Sequence, residues 1–238
     1  MAVTPQARQF CLSEGNREAL IIRWRAIITL GLHDYFTNEN KYSKIIVREI
    51  LDMFEGVIKA FAESLGVPVR NRGFLDIFND IKINPQVENI KIQRLDNINN
   101  SLSANELNSI RNILRNPEAH TLNLPSIPIE SVIRCWRLFE ETVSLCDDTL
   151  NNYAQSRPEF KDFCNLYKFF YKFAVNKESI DLRVIKQYET YVEGVDNRGT
   201  QRNVKIEQER SLSDIIQLIA SGDWEQSLIP EIRTAELI

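Results

Sequence analysis

The chain has no uninterrupted apolar stretch approaching the roughly 20 residues of a membrane-spanning helix, and its first residues, Met1-Ala2-Val3-Thr4-Pro5-Gln6, lack the basic-then-apolar pattern of a secretory signal. The expectation is a cytoplasmic protein that makes no membrane contact. Glycine and proline number eight each among 238 residues, too few for a collagen-like or linker-dominated chain. There is no excess of positive charge: 29 Lys and Arg stand against 33 Asp and Glu, a net −4 with pI near 5.4. A protein that coats nucleic acid is usually basic overall, so any contact with nucleic acid here has to be local. Four cysteines (Cys11, Cys135, Cys146, Cys164) form no Cys-x-x-Cys pair, and there are two histidines, which argues against a structural zinc site. Cys135 and Cys146 are eleven apart, close to three helical turns, and read as reduced thiols sharing one buried face. No repeat and no low-complexity segment is present.

What is there is apolar material at helical spacing. At 43% hydrophobic and 26% charged, the chain has enough to bury a core. Leu20, Ile21, Trp24, Ile27, Ile28 and Leu32 predict a helix over about 16–36, followed by a loop at Asn38-Glu39-Asn40. Ile46, Ile50, Met53, Phe54, Val57, Ile58, Phe61 and Leu65 predict a second over about 42–65, with Gly66 as its C-terminal cap and Pro68 beyond. The short connection favours an antiparallel hairpin. Shorter helical pieces are expected around 74–81 and 87–98. Ser103-Ala104-Asn105-Glu106 has the form of a capping box opening a helix that carries Leu107, Ile110, Ile113 and Leu114, and Pro117 should kink or end that helix at Asn116. Pro128 fits the first turn of a further long helix, whose apolar face runs from Ile129 through Trp136, Phe139 and Val143 to Leu150. The texture then changes. An aromatic-dense helix is expected over 160–173, another over 180–192, and a last one over 211–222 stopped by Gly222. The turn signal Asp196-Asn197-Arg198-Gly199 lies between Tyr191–Val195 and Asn203–Ile206, which could pair as a small β-hairpin. The expected fold class is all-α: a four- or five-helix bundle over residues 1–150, then a mostly helical extension over 151–238.

One short segment carries chemistry, Leu114-Arg115-Asn116-Pro117-Glu118-Ala119-His120. Metal-independent cleavage of RNA needs a group of near-neutral pKa to move a proton from the 2′-hydroxyl or to the leaving oxygen, a task suited to histidine. It also needs a cation to stabilise charge growing on the phosphate, a task suited to the rigid donor fork of arginine. His120 and Arg115 supply both, and Asn116 adds a side chain able to orient either the imidazole or the phosphate. In a straight helix residues five apart point about 140° away from each other; a kink at Pro117, or a second protomer, would bring the two groups together.

An Arg, often followed by a polar residue, four to six residues before a His and near a helix junction resembles the signature of the HEPN superfamily. The helical context over about residues 15–150 resembles it as well. The resemblance implies a compact helical bundle and a metal-independent endoribonuclease without a cofactor. It implies a homodimer whose paired motifs share one cleft, acting on RNA as a toxin or anti-phage defence effector, with an antitoxin or regulatory protein as a further partner. By position, Arg115 would stabilise the phosphate, Asn116 would orient, and His120 would be the acid or base. Residues 151–238 would then serve dimerisation or regulation.

Other readings stand beside this one. His120 could cap a helix end, and Arg115 could be a surface residue favoured by the macrodipole. A HEPN-like bundle could serve, without catalysis, as a binding or dimerisation module for a protein or nucleotide. His33, beside Asp34, reads as structural, and Glu118 as a solvated acid. Lys41, Lys44, Arg48, Arg70 and Arg72 offer an RNA-steering patch or simply a solvated face, and Phe169, Phe170, Tyr171 and Phe173 offer base stacking or, more commonly, core.

Overall fold

The computed structural model describes residues 9–37, 41–104, 107–110, 112, 127–171 and 211–224. Among these the structure is mainly helical, with no strand. The helices are α1 (Glu14–Thr37), α2 (Ser43–Ser64), α3 (Phe74–Ile83), α4 (Asn89–Leu102), α5 (Ile129–Cys146), α6 (Leu150–Gln155), α7 (Lys161–Phe170, after a 3₁₀ turn at Pro158–Phe160) and α8 (Leu212–Ser221). The all-α expectation holds. The predicted loop at 38–40, the helix over 180–192 and the hairpin around 196–199 lie outside the described residues.

The helix ends follow local chemistry. Ser13 opens α1: its hydroxyl accepts from the Asn16 N–H and its carbonyl from the Arg17 N–H, so the helix starts at Glu14, two residues before the expected start at about 16. Gly66 closes α2 at φ +76°, a left-handed conformation that costs glycine least. The Val67 N–H reaches back to the Ala62 carbonyl (2.9 Å) and the Gly66 N–H to Glu63 (2.9 Å), which satisfies the last carbonyls of the helix. Gly222 (φ +89°) does the same service for α8, which opens on a capping box formed by Ser211 and Asp214.

Two expected features are corrected. Ser103 is not an N-cap: its backbone is αR and its N–H bonds back to Asn99 and Asn100, so it closes α4. The next turn begins at Ala104, whose carbonyl accepts from the Asn108 N–H at 2.8 Å. The last long helix of the first part does not run on to Leu150. It stops at Cys146, because Asp147 is extended (φ −142°, ψ 101°), and Leu150 starts α6. Pro128 stands one residue before α5, as its N-cap.

The chain forms two compact units: residues 1–24 with 43–157, and residues 25–42 with 158–238. In the first unit α2 packs on α5 and α3, and α4 packs on α5. Its core holds Ile21, Val47, Ile50, Ile58, Phe61, Ile77, Leu95, Phe139 and Cys146. Trp24 lies against Trp136 (5.9 Å) and edge-on to Phe139 (5.2 Å). In the second unit Ile27, Ile28 and Leu32 of α1 are buried, and α7 packs on α8. Phe169 meets Trp224 edge-on at 4.9 Å. A Cβ at Gly31 would fall 2.9 Å from the Phe170 ring, so the absent side chain is what lets that ring approach α1.

Candidate functional site

The candidate residues lie between two described anchors. On one side α4 ends at Leu102, and residues 107–110 form a helical turn in which Leu107 is buried and Ser109 faces solvent; Asn112, just beyond, is also helical and exposed. On the other side Ile127 is buried and Pro128 leads into α5. Leu107 and Ile127 thus tie both ends of the intervening segment to the first unit, whose α4 and α5 pack together. Arg115, Asn116 and His120, with Pro117 and Glu118, lie outside the described residues.

The other residues singled out are placed. His33 is half-buried, its ring edge-on to Tyr42 at 4.8 Å and its Nδ1 3.9 Å from Asp34. The buried Asp34 carboxylate accepts the main-chain N–H groups of Lys41 (2.8 Å) and Tyr42 (2.7 Å). The basic residues do not make one patch. Lys44 and Arg48 occupy the first turns of α2, whereas Arg70 and Arg72 follow its end, and the turns from Arg48 to Ser64 alone span about 24 Å at 1.5 Å per residue. Arg72 is engaged by Asp80 at 2.6 Å. In the aromatic run Phe163, Phe169 and Phe170 are buried, and Tyr171 is 38% exposed; Phe173 lies outside the described residues. Phe163, Tyr167 and Tyr171 stack along α7 at 6.0 and 5.9 Å. Among the described residues no group of His, Cys, Asp or Glu could hold a metal ion, and no helix is long and apolar enough to cross a membrane.

All four cysteines are reduced, with Cys135 and Cys146 buried on α5. Burial pushes the Cys146 thiol far up from its usual range, and Asp147 and Asp148 add to the shift against the opposing Lys91. Such a thiol is inert. Cys164, half-buried, is also raised by desolvation first and by Asp162 second.

The strongest polar constellation in the first unit escaped the sequence reading. The Asp147 side chain is 0% exposed and accepts from Arg17 Nε (2.6 Å) and Nη2 (2.7 Å), from the Leu12 N–H (3.1 Å) and from the Thr149 N–H (3.0 Å). The Asp147 hydrogen bond raises the Arg17 pKa above its usual value despite partial burial. The Arg17 guanidinium also donates to the Thr149 hydroxyl and lies 4.9 Å over the Tyr153 ring. Arg17 and Asp147 are 130 residues apart in the chain, and no spacing rule joins them. The one available signal was Asp147-Asp148-Thr149, three turn-forming residues inside an apolar pattern.

The chain matches no protein-family model, no curated protein and no solved structure.

Proposed function

We propose that the chain is a metal-independent endoribonuclease of HEPN type, in which Arg115, Asn116 and His120 act on RNA within a homodimer. The observation that carries this reading is the string Arg115-Asn116-x-x-x-His120 in a chain whose described residues are mainly helical, between the helical turn at 107–110 and α5.

In the proposed reaction the 2′-oxygen attacks the adjacent phosphorus, forming a P–O2′ bond as the P–O5′ bond breaks. The 2′-hydroxyl gives up its proton to a base, and the departing 5′-oxygen gains one from an acid; His120 of one protomer serves one of these steps. Arg115 donates paired hydrogen bonds to the non-bridging oxygens as their charge grows. Asn116 holds the imidazole or the phosphate in line. The products are a 2′,3′-cyclic phosphate and a 5′-hydroxyl, and no electron changes hands. The cell role that fits is a toxin or anti-phage effector restrained by an antitoxin or regulatory protein.

The second reading is a HEPN-like module that binds a protein or nucleotide without cleaving RNA. Pro117 inside the motif and the net charge of −4 favour it. Expression separates the two. A nuclease arrests growth, and His120→Ala relieves the arrest at equal protein level. Growth unaffected by the wild-type chain, with RNA intact in the cells, leaves the binding module standing.

A further inference from the structure

Residues 9–13, ahead of α1, adopt no regular structure, yet their side chains alternate. Phe10 and Leu12 are each 4% exposed, and Gln9, Cys11 and Ser13 face solvent. Period-two burial is the pattern of an extended segment laid along a surface. The main chain is held at the same alternate positions. The Phe10 N–H donates to Asp148 Oδ2 (2.9 Å), the Asp148 N–H returns a bond to the Phe10 carbonyl (3.0 Å), and the Leu12 N–H donates to Asp147 Oδ2 (3.1 Å). The Phe10 ring stands edge-on to Phe61 at 5.2 Å, with Lys91 Nζ 4.6 Å from its centroid. Main-chain bonds with side-chain pockets at every second residue are how proteins take up extended peptides.

The carboxylates that hold this segment do not depend on it. Were residues 9–12 to leave, Asp147 would keep both Arg17 bonds and the Thr149 N–H. Asp148 would keep Lys91 (2.9 Å), which also donates to the Leu145 carbonyl (3.0 Å). The start of α1 would keep its Ser13 cap. Opening therefore strands no buried charge, the event that makes breaking a buried ion pair costly. It exposes two apolar side chains and frees to water three main-chain donors, the N–H groups of Phe10, Leu12 and Asp148, and the Phe10 carbonyl.

We propose that Gln9–Ser13 is a displaceable strap: an extended peptide held in cis in a groove made by Phe61, Lys91, Asp147 and Asp148. It opens while the helices of the first unit stay folded. The groove selects apolar residues at alternate positions and reads the main-chain N–H groups of those same residues through the paired carboxylates. The inference is independent of the nuclease reading.

Hydrogen exchange on the full chain tests it. The Phe10 and Leu12 amides should exchange at least about 100-fold faster than those of Phe139 and Val143 in α5, as expected of a separate local opening. Equal rates, meaning release only with global unfolding, would overturn the proposal. A second arm removes residues 1–12 and adds a peptide of residues 5–13. A helical truncated chain whose melting temperature rises with this peptide, and not with one bearing Phe10→Asp and Leu12→Asp, supports the strap. A helical truncated chain that ignores both peptides, or responds equally to both, contradicts it, as does a truncated chain that fails to fold.

Discussion

The two units are held together differently. Among the described residues the first unit is laced with ion pairs: the buried Arg17–Asp147 pair, Lys91–Asp148, and surface pairs such as Arg23–Glu49, Arg72–Asp80 and Lys82–Asp96. Among the described residues the second unit has Arg25–Asp162 on its surface, the buried Asp34 carboxylate on the Lys41 and Tyr42 N–H groups, and close apolar packing: Phe170 against the bare Gly31, and Phe169 against Trp224. The difference teaches which changes each unit tolerates. A unit fastened by a buried ion pair is vulnerable to loss of a partner. A unit fastened by ring contact is vulnerable to added volume.

The largest expected effect is on the first unit. Arg17→Met removes the main partner of a fully buried carboxylate and should cost about 3–5 kcal/mol in denaturant unfolding. Replacing both residues, as Arg17→Met with Asp147→Leu, should not restore stability, because the Leu12 and Thr149 N–H groups also lose their acceptor. Full recovery by the double variant would show that the pair acts alone.

Next comes the second unit. Gly31→Val drives its side chain into the Phe170 ring and should cost about 1–3 kcal/mol as an overpacking defect, read as a lower melting temperature and faster exchange in α7. An unchanged melting temperature would mean that the contact is not tight. Smaller again is Gly66→Ala in the first unit. A Cβ there meets nothing within 4 Å, so only the positive φ is penalised, at about 1 kcal/mol. Arg23→Ala, which breaks an exposed pair, should change stability by less than about 1 kcal/mol. Thiol chemistry supplies an independent check of packing. A disulfide reagent at pH 8 should modify Cys11 quickly and Cys164 more slowly, leaving Cys146 unmodified until the chain unfolds. Rapid loss of all four thiols would contradict the described core.

Much of this architecture was legible because helical burial writes itself into spacing. The stripe from Ile46 to Leu65 and the glycines at 66 and 222 mark α2, α8 and their ends. The failures have physical causes. Ser103-x-x-Glu106 satisfies a capping-box string, but that string does not say whether a helix has just ended, and Ser103 closes α4. The apolar pattern of α5 continues unbroken to Leu150, so nothing periodic marks the break at Asp147, where the chain turns to put a carboxylate beneath Leu12 and Arg17. The basic residues 44, 48, 70 and 72 look like one group in a list and occupy two ends of a helix in space. At the candidate site residue type was legible: a guanidinium, an amide and an imidazole within six residues state a chemistry. Whether they converge, as the proposed nuclease requires, depends on the dihedral angles around Pro117 and on pairing with a second protomer, neither of which is written in residue spacing.

The most direct test of the nuclease reading is incubation of the purified chain with single-stranded RNA in excess EDTA, with the RNA ends identified by mass spectrometry. The account predicts fragments ending in 2′,3′-cyclic phosphate, slowed at least about 100-fold by Arg115→Ala and by His120→Ala. RNA left equally intact by the wild-type chain and both variants, or cut equally by all three, would contradict it.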